Sequence, residues 1–474
     1  MSLNSATEHD RNRSSAAPHP RRVRRAVMFV CIALAALLYG YDLGMMAGAI
    51  LFIQHDLHLS DGMVGLFVSI VTAGTVGGML VVGRISDRFG RRPTLMAAAV
   101  VLGLAALGMA WSDSGTPLIV FRVLMGLGLA GITAVVPAYL AELAPTQRRG
   151  AVTSLHQLML ATGTLLAFVV DYVLADWEAW RVIIGIGAVL AALVVIGMLF
   201  QPESPRWLLR QGREDEARAV LRICAPGEED EVVAQLRGDS GSRQRGGRLV
   251  ELFRNRSLRR VLLIGCAMAA LQQLIGINTI VYYAPKILQS VGFGQSAAIM
   301  NSVGLGLLSV IATAIEARVV DRVGRRRLLL LGAALMATAM AALGLVFLFS
   351  FQSQAFGKGV SVLALAVFKF AYSLSWGPLL YVTLPEIFPL HLRGAGVSFS
   401  ALWAQVAIFL VTLLFPIMLA AGASLIFFLF AVMGVVAYVF AAKLLSELSR
   451  KSLETIEHQV LHTGAGAAEA DGRG

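Results

Sequence analysis

Long apolar runs separated by short polar stretches fill the chain, and their length predicts helices that cross a membrane. The first set of runs covers 26–53, 63–82, 94–111, 117–140, 151–173 and 181–200. The second covers 259–289, 297–317, 327–350, 360–384, 395–418 and 424–445. A polar stretch rich in Arg, Glu, Gly and Ser, residues 201–258, separates them. The expected organisation is a disordered cytoplasmic tail (1–25), a six-helix bundle (26–200), a cytoplasmic linker with short helices (201–258), a second six-helix bundle (259–445) and a polar tail (446–474). The first tail carries six arginines and no apolar periodicity. The run from Ala26 has the basic flank of a secretory signal but outlasts one, and more spans follow, so it is expected to stay as the first helix.

The halves repeat each other. Gly83-Arg-Ile-Ser-Asp-Arg-Phe-Gly-Arg-Arg92 recurs as Ala317-Arg-Val-Val-Asp-Arg-Val-Gly-Arg-Arg326, offset by 234 residues and after the second span of each half. Glu142, Pro145, Arg149 and Gly150 recur as Glu386, Pro389, Arg393 and Gly394, offset by 244 and after the fourth span. Two repeats at equivalent places predict duplicated units. The fold class is therefore an all-α membrane protein of 12 transmembrane helices in two pseudo-symmetric bundles.

Composition agrees: 57% of residues are hydrophobic, 15% are charged and the mean hydropathy is +0.73. The net charge of +11 raises nucleic acid as a partner, but the basic residues gather on the side assigned to the linker. Lys286 and Lys358 are the basic residues placed in the opposite loops. That asymmetry marks a multi-pass cell membrane protein in a lipid bilayer with both termini cytoplasmic, and excludes nucleic acid. Cys31, Cys224 and Cys266 have neither disulfide nor zinc spacing. Gly126-Leu-Gly-Leu-Ala-Gly131 has the glycine spacing of a dinucleotide loop but lies mid-helix with no strand before it, so close helix packing explains it better.

The most informative stretch is Leu271–Pro285. It puts Gln272, Gln273 and Asn278 at membrane depth, where each unmatched polar group costs roughly 2–7 kcal/mol. They serve either as glue between packed helices or as contacts for a hydroxyl-rich ligand. On an ideal helix Gln273 and Asn278 lie roughly 140° apart, while Asn278 and Tyr282 lie only about 40° apart. These side chains converge only if the helix breaks, and Gly276 is where it can, with Pro285 ending clean continuation.

The paired Gly-x-x-x-Asp-Arg-x-Gly-Arg-Arg loops resemble the signature of the major facilitator superfamily. Pro202-Glu-Ser-Pro-Arg206 and Gln272-Gln273…Gly276-x-Asn278…Tyr282-Tyr283 resemble its sugar porter branch, whose bacterial members include proton-linked sugar symporters. The resemblance runs from about residue 37 to 445. It implies two bundles that rock about a central site and a substrate set of Gln157, Gln272, Gln273, Asn278, Tyr282, Tyr381 and Gln405. Amides suit a sugar because each offers a donor and an acceptor to neighbouring hydroxyls. Tyr381 stands where many relatives have Trp, and Ser309 where they have Asn. The eleventh-span Asn/Gln-Trp pair falls on Ala404 and Gln405, with Trp403 one step earlier, and the closing motif is altered to Ser446-Glu-Leu-Ser-Arg450.

Asp42 lies midway along the first span and Arg122 near the start of the fourth, and a carboxylate at bilayer depth costs about 2.5–3.5 kcal/mol. The resemblance implies that this pair forms a proton site; a static structural pair is the alternative. Burial favours a neutral carboxyl and a nearby guanidinium favours a charged one, so a motion separating the two would load or release a proton.

The resemblance also implies a cytoplasmic gate of Arg84, Asp87, Arg88, Arg92, Glu142, Arg149, Glu203 and Arg206, repeated as Asp321, Arg322, Arg326, Glu386 and Arg393. Exposed pairs worth about 0–1 kcal/mol each suit a latch that must open. The outermost arginines, Arg91, Arg325 and Arg327, are expected to be solvated, and Glu316 to join the second charge set. Lys369 is expected to reach toward the membrane interface, or else to face the cavity and favour an anionic substrate.

The function expected is proton-coupled import of a sugar or polyol by a monomer that uses no cofactor and no metal. Uncoupled facilitation and proton-antiport efflux of another small molecule are the alternatives. No nucleophile–base pair or metal cluster suggests an enzyme, and the tail is too short to favour a nutrient sensor.

Overall fold

The computed structural model describes residues 20–144, 149–224, 229–230, 232–234, 252–253, 255–389 and 392–450. Every regular element among the described residues is helical. The spans of the first lobe are Pro20–Asp56, Asp61–Phe89, Arg91–Ala110, Gly115–Leu143, Arg149–Val173 and Trp180–Leu199. Two short helices, Pro205–Arg210 and Glu214–Cys224, lead into the linker. In the second lobe the seventh span is Arg256–Leu274 with Ile277–Ser290, the eighth Gln295–Val323, the ninth Arg325–Leu348, and the tenth Ala355–Leu374 with Trp376–Ile387. The eleventh and twelfth form one helix, Arg393–Arg450, which leaves helical geometry at Gly422 inside the expected break. The first helix begins at Pro20, inside the segment expected to be a disordered tail, and residues 1–19 and 451–474 lie outside the described residues.

Small residues set how closely the helices approach. Gly40, Gly44 and Gly48 recur every fourth position on the first span and so lie along one face. A methyl group on Gly40 would overlap the Leu160 carbonyl, one on Gly44 would meet Thr164 and Ala167, and one on Gly48 would meet the Asp171 carboxyl. The fifth span answers with Gly163, which sits on the backbone of Leu37 and Tyr41. The Thr164 hydroxyl donates to the Gly40 carbonyl at 3.0 Å across this seam. Gly126 opposes Gly74 of the second span, while Gly128 and Gly131 rest on Ala98 and Leu102 of the third. The glycine run of the fourth span is thus a packing surface, as its context predicts.

The lobes meet on the side away from the linker. Gly65 of the second span packs on the Leu413 backbone of the eleventh, and Gly306 of the eighth on Leu165 and Phe168 of the fifth. The Lys286 ammonium bridges the lobes, donating to Asp61 at 2.8 Å and to Gln54 at 3.1 Å. On this face Arg181 joins the two expected lysines, pairing with Asp56 at 3.0 Å and Asp113 at 3.2 Å. Trp111 and Trp177 are exposed there, as aromatic side chains at a membrane–water boundary are.

Replacing Gly40 by Val puts branched carbon against backbone that cannot yield, a cost of about 1–3 kcal/mol. The expected outcome is a melting midpoint several degrees lower, or loss of the monodisperse protein, in a fluorescence-monitored thermal ramp. A wild-type midpoint would contradict the seam.

Candidate functional site

The site begins with two broken helices. Gly276 adopts φ +97°, a conformation that favours glycine, and the Phe430 ring occupies the space a Cβ would need. The break turns Asn278 back toward Gln273, bringing together side chains that an ideal helix would hold apart. The tenth span breaks at Ser375 (φ −133°, ψ −89°). Pro378, lacking an N–H, is harmless in the first turn of the helix that restarts at Trp376. The Trp376 indole donates to the Leu329 carbonyl at 3.0 Å and anchors this restart to the ninth span.

The amides join the two breaks. The Asn278 Nδ2 donates to Gln273 Oε1 at 2.7 Å, and Gln273 Nε2 donates to Gln272 Oε1 at 2.8 Å. Gln272 Nε2 then donates to the Trp376 and Gly377 carbonyls at 2.8 and 3.2 Å, in the first turn of the helix that restarts after the tenth-span break. Gln272 is the inner anchor, 1% exposed, and Asn278 is the half-buried end. The three amides therefore act as glue between helices and also leave polar groups at one accessible end.

Asp42 and Arg122 form the second part. They are 1% and 0% exposed, and Arg122 Nη1 donates to Asp42 Oδ1 at 2.6 Å. The guanidinium also contacts Met125 Sδ at 3.0 Å and lies 5.9 Å from the Phe67 ring centre. Asp42 Oδ2, Arg122 Nε and Arg122 Nη2 have no hydrogen-bond partner. One bond thus holds two charged groups that retain unused capacity. Tyr39, three residues before Asp42, lies within electrostatic reach of Asp42, Tyr282, Tyr372 and Tyr381. These tyrosines come from the first, seventh and tenth spans. Tyr39 and Tyr372 are the two that sequence reasoning missed. Tyr381, near the linker-side end of the tenth span, is 57% exposed.

The remaining predicted positions are spread around this centre. Gln157 is half-buried with no hydrogen bond among the described residues, and its neighbour His156 is buried with Nε2 unpartnered. Gln405 is half-buried and Trp403 is 47% exposed. Neither Gln157 nor Gln405 joins the amide chain. Ser309 pairs with Ser373 at 2.8 Å, tying the eighth span to the tenth. Lys369 does not reach the membrane interface: it is buried, one helical turn from Ser373, and forms no ion pair among the described residues. Glu316 is also buried.

The linker-side charges are more selective than expected. Arg91, assigned above to a solvated face, is the buried hub: Nε and Nη2 grip Glu142 at 3.0 and 3.1 Å, and Nη1 reaches Asp87 at 3.1 Å. Planar bidentate pairing at a half-buried carboxylate explains why burial wins here. Glu203 caps the start of the third span, accepting from the Arg91 and Arg92 amides at 2.8 and 3.2 Å. A carboxylate belongs there because the first amides of a helix lack partners. Gly90 makes this possible, with φ +105° and no Cβ to strike the Glu203 carboxylate. The Ser204 hydroxyl adds a bond to Glu142, and the Tyr139 hydroxyl donates to the Pro202 carbonyl.

Several expected gate charges take other roles. Arg92 donates to the Met198 and Leu199 carbonyls at 3.0 and 2.7 Å, closing the end of the sixth span instead of an ion pair. Arg84 and Arg88 are exposed without ion pairs among the described residues, and Arg88 lies over Phe89. Arg206 is half-buried at the start of the short helix Pro205–Arg210, whose Arg210 reaches Asp87 at 3.4 Å. In the second copy Arg325, also expected to be solvated, pairs with Glu386. Arg326 donates to the Ala442 carbonyl at 2.9 Å. Arg322 is exposed and Arg393 half-buried, while the side chains of Arg149 and Asp321 lie outside the described residues.

Comparison with known proteins agrees with this architecture. The chain is 41% identical over 430 residues to Bacillus subtilis YwtG, covering 90% of this chain and 93% of that protein. It is 38% identical over 455 residues to the D-xylose transporter of Levilactobacillus brevis, covering 95% and 99%. The inward-open xylose transporter XylE of E. coli superimposes with a TM-score of 0.78 at 26% identity, over 91% of this chain and 98% of that one. XylE bound to 6-bromo-6-deoxy-D-glucose, described as a proton:xylose symporter, gives 0.76 at 27% identity, over 88% and 95%. Residues 28–459 match the family described as "Sugar (and other) transporter". The chain is therefore a multi-pass membrane protein of the sugar transporter family, with the fold of the major facilitator superfamily.

Proposed function

We propose that this protein imports a sugar or sugar-like polyol together with a proton, by alternating access of one central site. The observation that carries the proposal is the buried Asp42–Arg122 pair, with Tyr39 and the seventh-span Tyr282 within its electrostatic reach. An ion pair at this depth suits a switch: breaking it with both groups charged leaves uncompensated charge at about 3–5 kcal/mol. Protonation of Asp42 removes one of the two charges and loosens its hold on Arg122, whose guanidinium then needs another acceptor as the first span moves relative to the fourth. Tyr39 lies on the same helix as Asp42, so the movement is felt where Tyr282, Tyr372 and Tyr381 meet the solute.

Sugar hydroxyls are to be held by the free groups of Asn278 and Gln273, with Gln157 and Gln405 on the facing spans, and Tyr282 and Tyr381 supplying ring faces and hydroxyls. The linker side is cytoplasmic by its excess of Arg, so both termini are cytoplasmic and the protein resides in the cell membrane as a monomer. The structure is then closed to the outside by Lys286–Asp61 and the Gly65 and Gly306 contacts. The Arg91–Glu142–Glu203 lattice works within the first lobe, holding three helix ends as one rigid body while the lobes rock.

The test is uptake of a radiolabelled panel of pentoses, hexoses and polyols into proteoliposomes, with and without an inward proton gradient. At least one member is expected to accumulate only with the gradient. A panel that neither binds nor moves would remove the sugar assignment. Gln273→Leu strips Asn278 and Gln272 of their partner, a loss of about 1–3 kcal/mol. For the sugar found by the panel, equilibrium binding to this variant should weaken by about tenfold or more; unchanged affinity would reduce the amide chain to structural glue.

A further inference from the structure

Asp171 has no place in the account so far. It lies two residues before the end of the fifth span, at the side opposite the linker, and is 1% exposed. Its Oδ2 accepts from the Gly48 amide of the first span at 2.9 Å, and its Oδ1 is buried with no partner. Gly48 is the last of the three seam glycines, and a methyl there would overlap the carboxyl. The carboxyl is thus built into the seam between the spans that carry Asp42 and Gln157.

Among the described residues no cation forms an ion pair with Asp171. From the first span Tyr41 lies within electrostatic reach, but its hydroxyl already donates to the Ile183 carbonyl of the sixth span at 2.7 Å. The other acids of the first span, Asp42 and Asp56, lie six residues inward and eight residues outward of Gly48. Arg181 of the sixth span is taken by Asp56 and Asp113. The eighth span meets the fifth at Phe168 through Gly306, which has no titratable side chain. An ionised carboxylate here would keep one oxygen without a donor, whereas a protonated carboxyl carries no net charge into the seam.

We propose that Asp171 is a second proton-binding carboxyl, placed between the far face and Asp42 along the seam of the first and fifth spans. It holds its proton while the far side is closed. When that side opens and water reaches the seam, the proton exchanges with the medium, and water joins the Gly48 amide in donating to the ionised form. The inference uses the proposed function only for the direction of access, and its test needs neither sugar nor gradient.

The test is infrared difference spectroscopy of purified protein in lipid nanodiscs, recorded between about pH 5 and about pH 9, where ordinary carboxyls are already ionised. Wild type is expected to show two carbonyl bands of protonated carboxylic acids that titrate in this range. Asp42→Asn should remove one and Asp171→Asn the other. Asp171→Ser, which is smaller and also accepts from Gly48, should remove the same band as Asp171→Asn. A spectrum of folded Asp171→Asn or Asp171→Ser that retains every wild-type band overturns the assignment, whatever the uptake assay shows.

Discussion

A buried carboxylate facing a buried guanidinium is the interaction on which the proposed mechanism depends. The Asp42–Arg122 bond is short, both residues are buried, and three of their polar atoms remain unpaired. Such a pair is weak evidence for stability, since a well-packed apolar substitute does as well. In the proposed mechanism its value is conditional: the pair would hold while Asp42 is charged and loosen when a proton arrives. The surroundings are arranged to keep that condition sharp. The glycine seam packs the first span closely on the fifth, and Met125 and Phe67 lie beside the guanidinium.

The rest of the molecule divides into parts that must stay rigid and parts that must not. Glycine contacts lock the first span to the fifth and the second to the fourth, and the Arg91 hub ties the linker-side helix ends together. The second lobe instead contains two interrupted helices whose freed backbone groups are satisfied by side chains. Gln272 bonds the start of the second half of the tenth span, so Asn278 is tied to that half-helix through three hydrogen bonds in series. Helix breaks are tolerated at membrane depth only where protein or a cavity satisfies them, and here the same amides do both.

How much was legible in the sequence follows from the range of each interaction. Helices, repeats and the break at Gly276 are local, and they emerge from hydropathy, spacing and a glycine placed among amides. The convergence of Gln272, Gln273 and Asn278 was likewise foreseen, because the angular mismatch on an ideal helix demanded a break. Arg91 was misjudged because its burial depends on Glu142 and Glu203, far along the chain, and nothing in Gly90-Arg-Arg92 separates a buried arginine from a solvated one. Lys369 was left between the interface and the cavity for the converse reason, since helical depth does not reveal which face is covered. The Gly40, Gly44 and Gly48 spacing was available in the sequence, and with it the close approach that buries Asp171.

The central claim is that Asp42 couples sugar movement to the proton. The decisive comparison is wild type and Asp42→Asn in proteoliposomes, measured both by accumulation under an inward proton gradient and by counterflow exchange without one. A one-proton symporter under a gradient of about one pH unit accumulates its sugar about tenfold. Wild type is predicted to reach that level, while Asp42→Asn exchanges sugar by counterflow and accumulates none. Accumulation by Asp42→Asn at the wild-type level would contradict the account.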